Sequence, residues 1–205
     1  MKTITDEERK YVRNFINDKC IARVPHDSKK IPAIHNNGFY VWQFYLRPVL
    51  YDKKSMEIIT KDFFLKHKGF NFSKFRLAGV ESSSVPMLVA FSQEAYRYGV
   101  NLDFISVRKK AKEYGLLHSV EGKFNMESPV MIVDDLISTN HIWNKHTVDI
   151  LNQTNIMLLD RMYSIVNKNT PFGDKKVVVN NQCFTLESMF TLADFDLEYE
   201  KYYGK

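Results

Sequence analysis

Cysteine is nearly absent from this chain: Cys20 and Cys183 are the only two in 205 residues. They stand too far apart to suggest a disulfide framework or the close spacing of a metal site, and this usage fits a reducing cytosol. Long apolar runs are missing as well. No stretch reaches the roughly 18 apolar residues of a membrane-spanning helix. The start, Met1 to Glu8, is charged rather than apolar, so no signal peptide is read there. Blocks of like charge are also lacking. The 29 Lys and Arg residues and 24 Asp and Glu residues, net +5, are dispersed along the chain. That disfavours the concentrated basic face of a nucleic-acid binder and leaves an anionic ligand open. Internal repeats and low-complexity segments are absent. With 44% hydrophobic and 26% charged residues, the chain reads as a soluble globular protein. It is expected to form one domain, with or without a small cap, around a substantial core.

What is present is organised around residues 130–140, Val-Met-Ile-Val-Asp-Asp-Leu-Ile-Ser-Thr-Asn. Four apolar residues read as a buried parallel strand running into Asp134 and Asp135. Ser138, Thr139 and Asn140 follow, and a helical pattern begins at about Ile142. Ligands of open α/β sheets sit at the carboxyl ends of strands, and a following helix offers free N–H groups to an anion. The acids would accept from sugar hydroxyls and the loop behind them would hold a phosphate, so a ribose 5-phosphate satisfies both halves. The plainer alternative is a strand with a Ser/Thr helix cap and no nucleotide.

Around this stretch the pattern alternates. Thr5-Asp6-Glu7-Glu8 reads as a capping box for a helix to about Lys19, and Asn36-Asn37-Gly38 as a turn. Residues 39–47, dense in aromatic residues, read as one strand. Asp52 caps a helix with Met56, Ile59, Phe63 and Phe64 inward, and Gly69 closes it. Strands are expected at 75–80, 102–107, 130–133 and 156–159, helices at 87–98 and 142–151, and a mobile loop at 116–128. Residues 1–68 are expected to form an N-terminal helix and hood, and 69–205 the α/β core.

Four strands in a row therefore end in polar groups: Glu81-Ser82-Ser83-Ser84, Arg108-Lys109 with Lys112, Asp134-Asp135, and Asp160-Arg161. The serine turn could cradle a diphosphate, although it also fits a plain helix cap before Pro86. The cations would neutralise a departing diphosphate, although alone they read as a solvated run. Arg161 could hold a carboxylate in its fork, although a surface ion pair is the commoner case.

The acid stretch resembles the phosphoribosyl-diphosphate (PRPP) signature of the type I phosphoribosyltransferases, and the blocks together resemble the orotate phosphoribosyltransferases over about residues 36–165. That family's Arg-Lys-x-x-Lys-x-His-Gly loop is similar to residues 108–115. Its Asp-Arg is similar to Asp160-Arg161, and its aromatic pair to Phe44-Tyr45. The resemblance implies an α/β fold with a central, mostly parallel sheet flanked by helices, and transfer of ribose 5-phosphate from PRPP to orotate. It implies Asp134 and Asp135 on the ribose, and Ser138, Thr139 and Asn140 on the 5-phosphate. Ser82, Ser83, Ser84, Arg108 and Lys109 would meet the diphosphate, and Phe44, Tyr45, Ser138 and Arg161 the base. Lys112, Lys109, Asp134 and Asp135 would be catalytic. Mg²⁺ would be held mainly by substrate, and Lys112 would close over the site of a neighbouring subunit in a cytoplasmic homodimer. Tyr114 stands where the family has His, Asn36 where it has Lys, and Asn140 where it has Gly. The alternatives are a PRPP-dependent transferase for another base, and a nucleotide-binding homologue without turnover.

Overall fold

The computed structural model describes residues 3–24, 31–32, 38–109, 119–122, 127–138, 142–169, 175–197 and 202–204. In chain order the elements are α1 (Asp6–Lys19), β1 (Ile21–Arg23), β2 (Ile31–Pro32), β3 (Gly38–Tyr40), β4 (Trp42–Phe44), α2 (Arg47–Tyr51) and α3 (Lys53–Lys66). There follow β5 (Arg76–Val80), α4 (Val85–Arg97), β6 (Phe104–Val107), β7 (Val120–Gly122), β8 (Val130–Ile137) and α5 (Ile142–Gln153). The chain then forms β9 (Leu158–Asn167), β10 (Lys176–Val179), β11 (Gln182–Thr191) and β12 (Tyr202–Gly204).

Seven strands form the central sheet in the order β10-β11-β9-β8-β5-β6-β7. The pairs β11/β9, β9/β8, β8/β5 and β5/β6 are parallel, and antiparallel β10 and β7 close the two edges. The expected mostly parallel sheet is borne out. From β5 the chain steps outward to β6 and β7, then returns to the other side of β5 as β8. The strand order thus reverses between β5 and β8, where a crevice opens at the carboxyl ends.

Sequence dictates the layers. Every residue of β5 is buried, as is Val130 to Asp134 of β8, so continuous apolar runs fill strands covered on both faces. One face carries α1 to α4 over an aromatic core in which Phe63 stacks on Phe91 at 4.2 Å and meets Tyr163 edge-on at 5.2 Å. On the other face Val148 and Leu151 of α5 pack with Ile132, Ile156 and Leu186. Each such side chain contributes about 1.5–3 kcal/mol by leaving water. The capping box forms as read: Thr5 N–H donates to Glu8 Oε2 at 2.8 Å, and Glu8 N–H to Thr5 Oγ1 at 3.1 Å. Asp52 caps α3 by accepting from Ser55 N–H at 2.8 Å, and Gly69 beyond the helix end takes φ +97°.

Several boundaries differ from the reading. The aromatic run is not one strand: β3 pairs with β2 and β12 while β4 pairs with β1, so the chain changes partners at Val41. Arg47 already begins α2, with Pro48 in its first turn. Within the expected 116–128 loop, β7 pairs with β6. The strand expected at 156–159 runs instead from Leu158 to Asn167, because β11 pairs along it as far as Asn167. Asp134 and Asp135 lie inside β8 rather than beyond it.

Candidate active site

The crevice wall on the β5 side is the turn from Glu81 to Ser84, which contains a cis peptide between Glu81 and Ser82. Gly79 lets this turn fold back on its own strand. A Cβ there would lie 2.3 Å from Ser84 Cβ and 2.6 Å from the Val133 carbonyl oxygen. Ser84 occupies the N-cap position of α4, but its hydroxyl makes no cap bond. Instead it donates to Asp134 Oδ1 at 2.9 Å, and Ser83 donates to the same oxygen at 3.1 Å. Ser82 remains exposed at the rim, and the first-turn N–H groups of α4 open beside it.

On the β8 side, pairing with β5 ends at Ile132, so Val133 to Ile137 overhang the crevice. Asp134 is buried, and it also accepts from its neighbour's backbone N–H at 3.0 Å and from Asn144 Nδ2 at 3.2 Å. Asp135 is only partly buried. Its carboxyl meets that of Asp134, and burial together with this like charge holds its pKa well above the usual carboxylate range. It leans toward α1: burial pushes the Cys20 thiol up to about 11, with the Asp135 charge adding to the effect. Of the two acids, Asp134 is engaged in holding the turn and α5, and Asp135 faces the hood.

The start of α5 adds two residues that the sequence did not single out, Asn144 and His146. Asn144 Oδ1 accepts from Ser138 N–H at 3.4 Å, while its amide nitrogen serves Asp134. His146 Nε2 donates to the Arg108 carbonyl at 2.7 Å, and Trp143 carries the Lys109 ammonium 4.6 Å from its ring centre. Ser138 thus stands at the start of the stretch expected from the sequence to hold a phosphate; Thr139 and Asn140 lie outside the described residues.

At the end of β6, Arg108 turns away from the crevice to pair with Glu121 of β7 at 2.6 Å. Lys109 N–H donates to Glu81 Oε1 at 3.2 Å, which ties the basic segment to the serine turn. Asn36, Lys112 and Tyr114 lie outside the described residues.

The aromatic wall is made by Trp42 and Phe44, edge-on at 5.7 Å, with Phe44 edge-on to Phe195 at 5.5 Å. Phe44 is buried while Tyr45 is 58% exposed, so the two do not share one surface. Arg161 is not brought to this wall. It lies low in β9, one residue before the partner of Ile132, with its guanidinium 5.0 Å from the centre of the Phe70 ring. The strand's far end instead presents Lys168, 5.1 Å from the centre of the Trp42 ring.

Among the described residues no group of three or more His, Cys, Asp or Glu side chains is placed to hold a metal ion, and no helix is long and apolar enough to cross a membrane. A groove of about 510 Å³ between α3 and α4, lined by Met56, Thr60, Ala90 and Gln93 among others, includes none of the residues above.

No family model matches the chain. Orotate phosphoribosyltransferase of Methanococcus maripaludis is 36% identical over 69 residues, 34% of this chain and 35% of that protein. That of Thermoplasma volcanium is 26% identical over 129 residues, 61% of this chain and 72% of the relative. The chain thus spans only about a third of the first of these relatives. Among solved structures, orotate phosphoribosyltransferase of Mycobacterium tuberculosis superposes with a TM-score of 0.67 at 14% identity, covering 93% of this chain and 99% of that one. The same enzyme in complex with PRPP superposes at 0.61, with 13% identity, covering 94% and 93%. The chain has the type I phosphoribosyltransferase fold, and the two sequence relatives and the Mycobacterium tuberculosis structures described above bear the name orotate phosphoribosyltransferase.

Proposed function

We infer that the chain transfers the ribose 5-phosphate of PRPP to orotate, giving orotidine 5'-monophosphate and diphosphate. One observation carries this reading: Asp135 overhangs the crevice between β5 and β8, with a small-residue turn on one side and the start of a phosphate loop on the other. In the reaction the bond from the ribose anomeric carbon to the diphosphate oxygen breaks, and a bond to a ring nitrogen of orotate forms. Positive charge develops on the ribose meanwhile, so the protein's contribution is positioning and stabilisation of the leaving group.

Asp135 receives the ribose hydroxyls, and Asp134 fixes the geometry by holding Ser83, Ser84 and Asn144 around it. The rim at Ser82, the first-turn N–H groups of α4 and Lys109 receive the diphosphate. Arg108 joins them once it exchanges Glu121 for substrate. Ser138 opens the 5-phosphate site, which Thr139 and Asn140 complete. Phe44 backs the wall against which the base lies, with Tyr45 at its exposed rim.

Asp135 would offer Mg²⁺ a single oxygen once the ion displaces its proton, since the residue is only partly buried at the crevice and a second acid stands beside it. The remaining ligands would come from substrate and water, as is usual for this ion. When bound, Mg²⁺ neutralises the diphosphate. Lys112 would act from its loop on the neighbouring site of a homodimer in the cytoplasm.

The test is diphosphate release from PRPP with Mg²⁺, run with orotate, with uracil and with no base. Release that requires orotate and is lost in Asp135→Asn supports the reading. A second reading, PRPP binding without turnover, is favoured by the Arg108–Glu121 pair. It predicts no release with any base, although PRPP raises the melting temperature.

A further inference from the structure

On this reading the carboxylate of orotate needs a cation, since an anion leaving water requires charged or multiple hydrogen-bonding partners. Arg161 is badly placed to supply one. Ser164 is the partner of Asp134 and Val166 that of Leu136, so Ile165 is level with Asp135. Arg161 lies four residues below that level, about 13 Å along the strand. Its guanidinium rests on Phe70, in the connection that leads into β5 and so at the opposite edge of the sheet.

Followed upward, β9 ends at Asn167, the partner of Ile137, and the next residue is Lys168. Its backbone N–H donates to the Ile137 carbonyl at 2.9 Å, which places it against the strand end that leads into Ser138. Its ammonium lies over Trp42, and Trp42 meets Phe44 edge-on. One cation therefore stands where the aromatic wall and the phosphate loop converge. Burial lowers its pKa, the mark of an ammonium with less water around it than a surface lysine has, and such a group pairs with an anion more strongly.

We propose that Lys168, held over Trp42 at the end of β9, is the specificity-determining cation that binds the carboxylate of the acceptor base. This rests on the orotate reading above. The carboxylate sits on the ring carbon beside the nitrogen that reacts but takes no part in the bond exchange itself, so loss of the contact appears first in the KM for orotate and in its equilibrium binding.

The experiment compares the full chain with Lys168→Met, Lys168→Arg and Arg161→Ala. It measures diphosphate release with orotate and with uracil, the KM for PRPP, and equilibrium binding of orotate. Lys168→Met is expected to raise the KM for orotate by about tenfold or more. It should leave the KM for PRPP within about twofold, with no change in whatever uracil is used, and Lys168→Arg should restore most of the loss. Arg161→Ala should leave both KM values near those of the parent chain. An unchanged KM for orotate in Lys168→Met, equal loss of orotate and PRPP, or a loss carried by Arg161→Ala would each overturn the assignment while the function stands. A parent chain that neither turns over nor binds orotate removes the function, and the assignment with it.

Discussion

The two faces of β8 at the crevice carry one acid each, and neighbours treat them in opposite ways. Toward α5 and the α4 turn, Asp134 is buried and surrounded by donors from Ser83, Ser84, Asn144 and the backbone. Toward the hood, Asp135 has the other carboxyl and the Cys20 thiol as neighbours, and its proton is held tightly. A saturated acceptor is a framework part, because a ligand reaching it would have to displace bonds already made. A poorly solvated acid with only backbone N–H donors and a like charge beside it is less settled in the free protein and gains more from a ligand. An acid pair read in the sequence as two equal ligands becomes, on the proposed function, one strut and one ligand.

Substitutions on the two faces should separate accordingly. The largest effect is expected from Asp135→Asn, which should lower orotate-dependent diphosphate release by a factor of about 10³. Stability should move the other way. Folding raises the Asp135 pKa, so above about pH 3.9 the unfolded chain sheds this proton while the folded chain keeps it, and stability falls as pH rises toward the folded value. Urea melts should show Asp135→Asn gaining more over the parent at pH 7 than at pH 4; an equal difference at both would equate the two acids.

Asp134→Ala should instead unfold the chain more readily, by about 3 kcal/mol in urea, since it orphans hydroxyl and amide donors together. Gly79→Ala drives a methyl into Ser84 and the Val133 carbonyl, and should cost about 2 kcal/mol while weakening PRPP binding. Tyr163→Phe tests the aromatic core under α1 to α4. Its hydroxyl donates to buried Asp62 at 2.9 Å, and its loss should cost about 1 kcal/mol with kcat/KM unchanged. A drop in kcat/KM there would mean that the aromatic core, and not only the crevice, is tuned for turnover.

The sequence made β5, β8, α4 and the two helix caps legible because each rests on local chemistry: an apolar run, a Pro in the first turn, an Asp or Thr before a helix. The extent of β9 was hidden for the opposite reason. Leu158-Leu159-Asp160-Arg161 resembles a strand reaching its polar end, and it is pairing on both sides, with β8 before it and with β11 more than twenty residues later, that extends it to Asn167. On the proposal above, that one boundary moves the candidate cation for the base from Arg161 to Lys168. Asn144 escaped notice because a polar residue in an amphipathic helix looks solvated, whereas here the helix start is turned into the crevice and Asn144 is 1% exposed. The split of the aromatic run into β3 and β4 depends on partners as distant as β12, which no local pattern encodes.

The first turn of α5 joins segments that are far apart in the chain. Asn144 holds both Asp134 and the N–H of Ser138, His146 holds the carbonyl of Arg108, and Trp143 carries Lys109. On the proposed function, the leaving-group side and the 5-phosphate side of the crevice therefore share one support. In the language of linkage, a phosphate that settles this turn changes the affinity for diphosphate by some factor, and diphosphate must change the affinity for phosphate by the same factor. The two ends of PRPP are then read by one cooperative unit, and ribose 5-phosphate and diphosphate offered separately should each alter the other's dissociation constant.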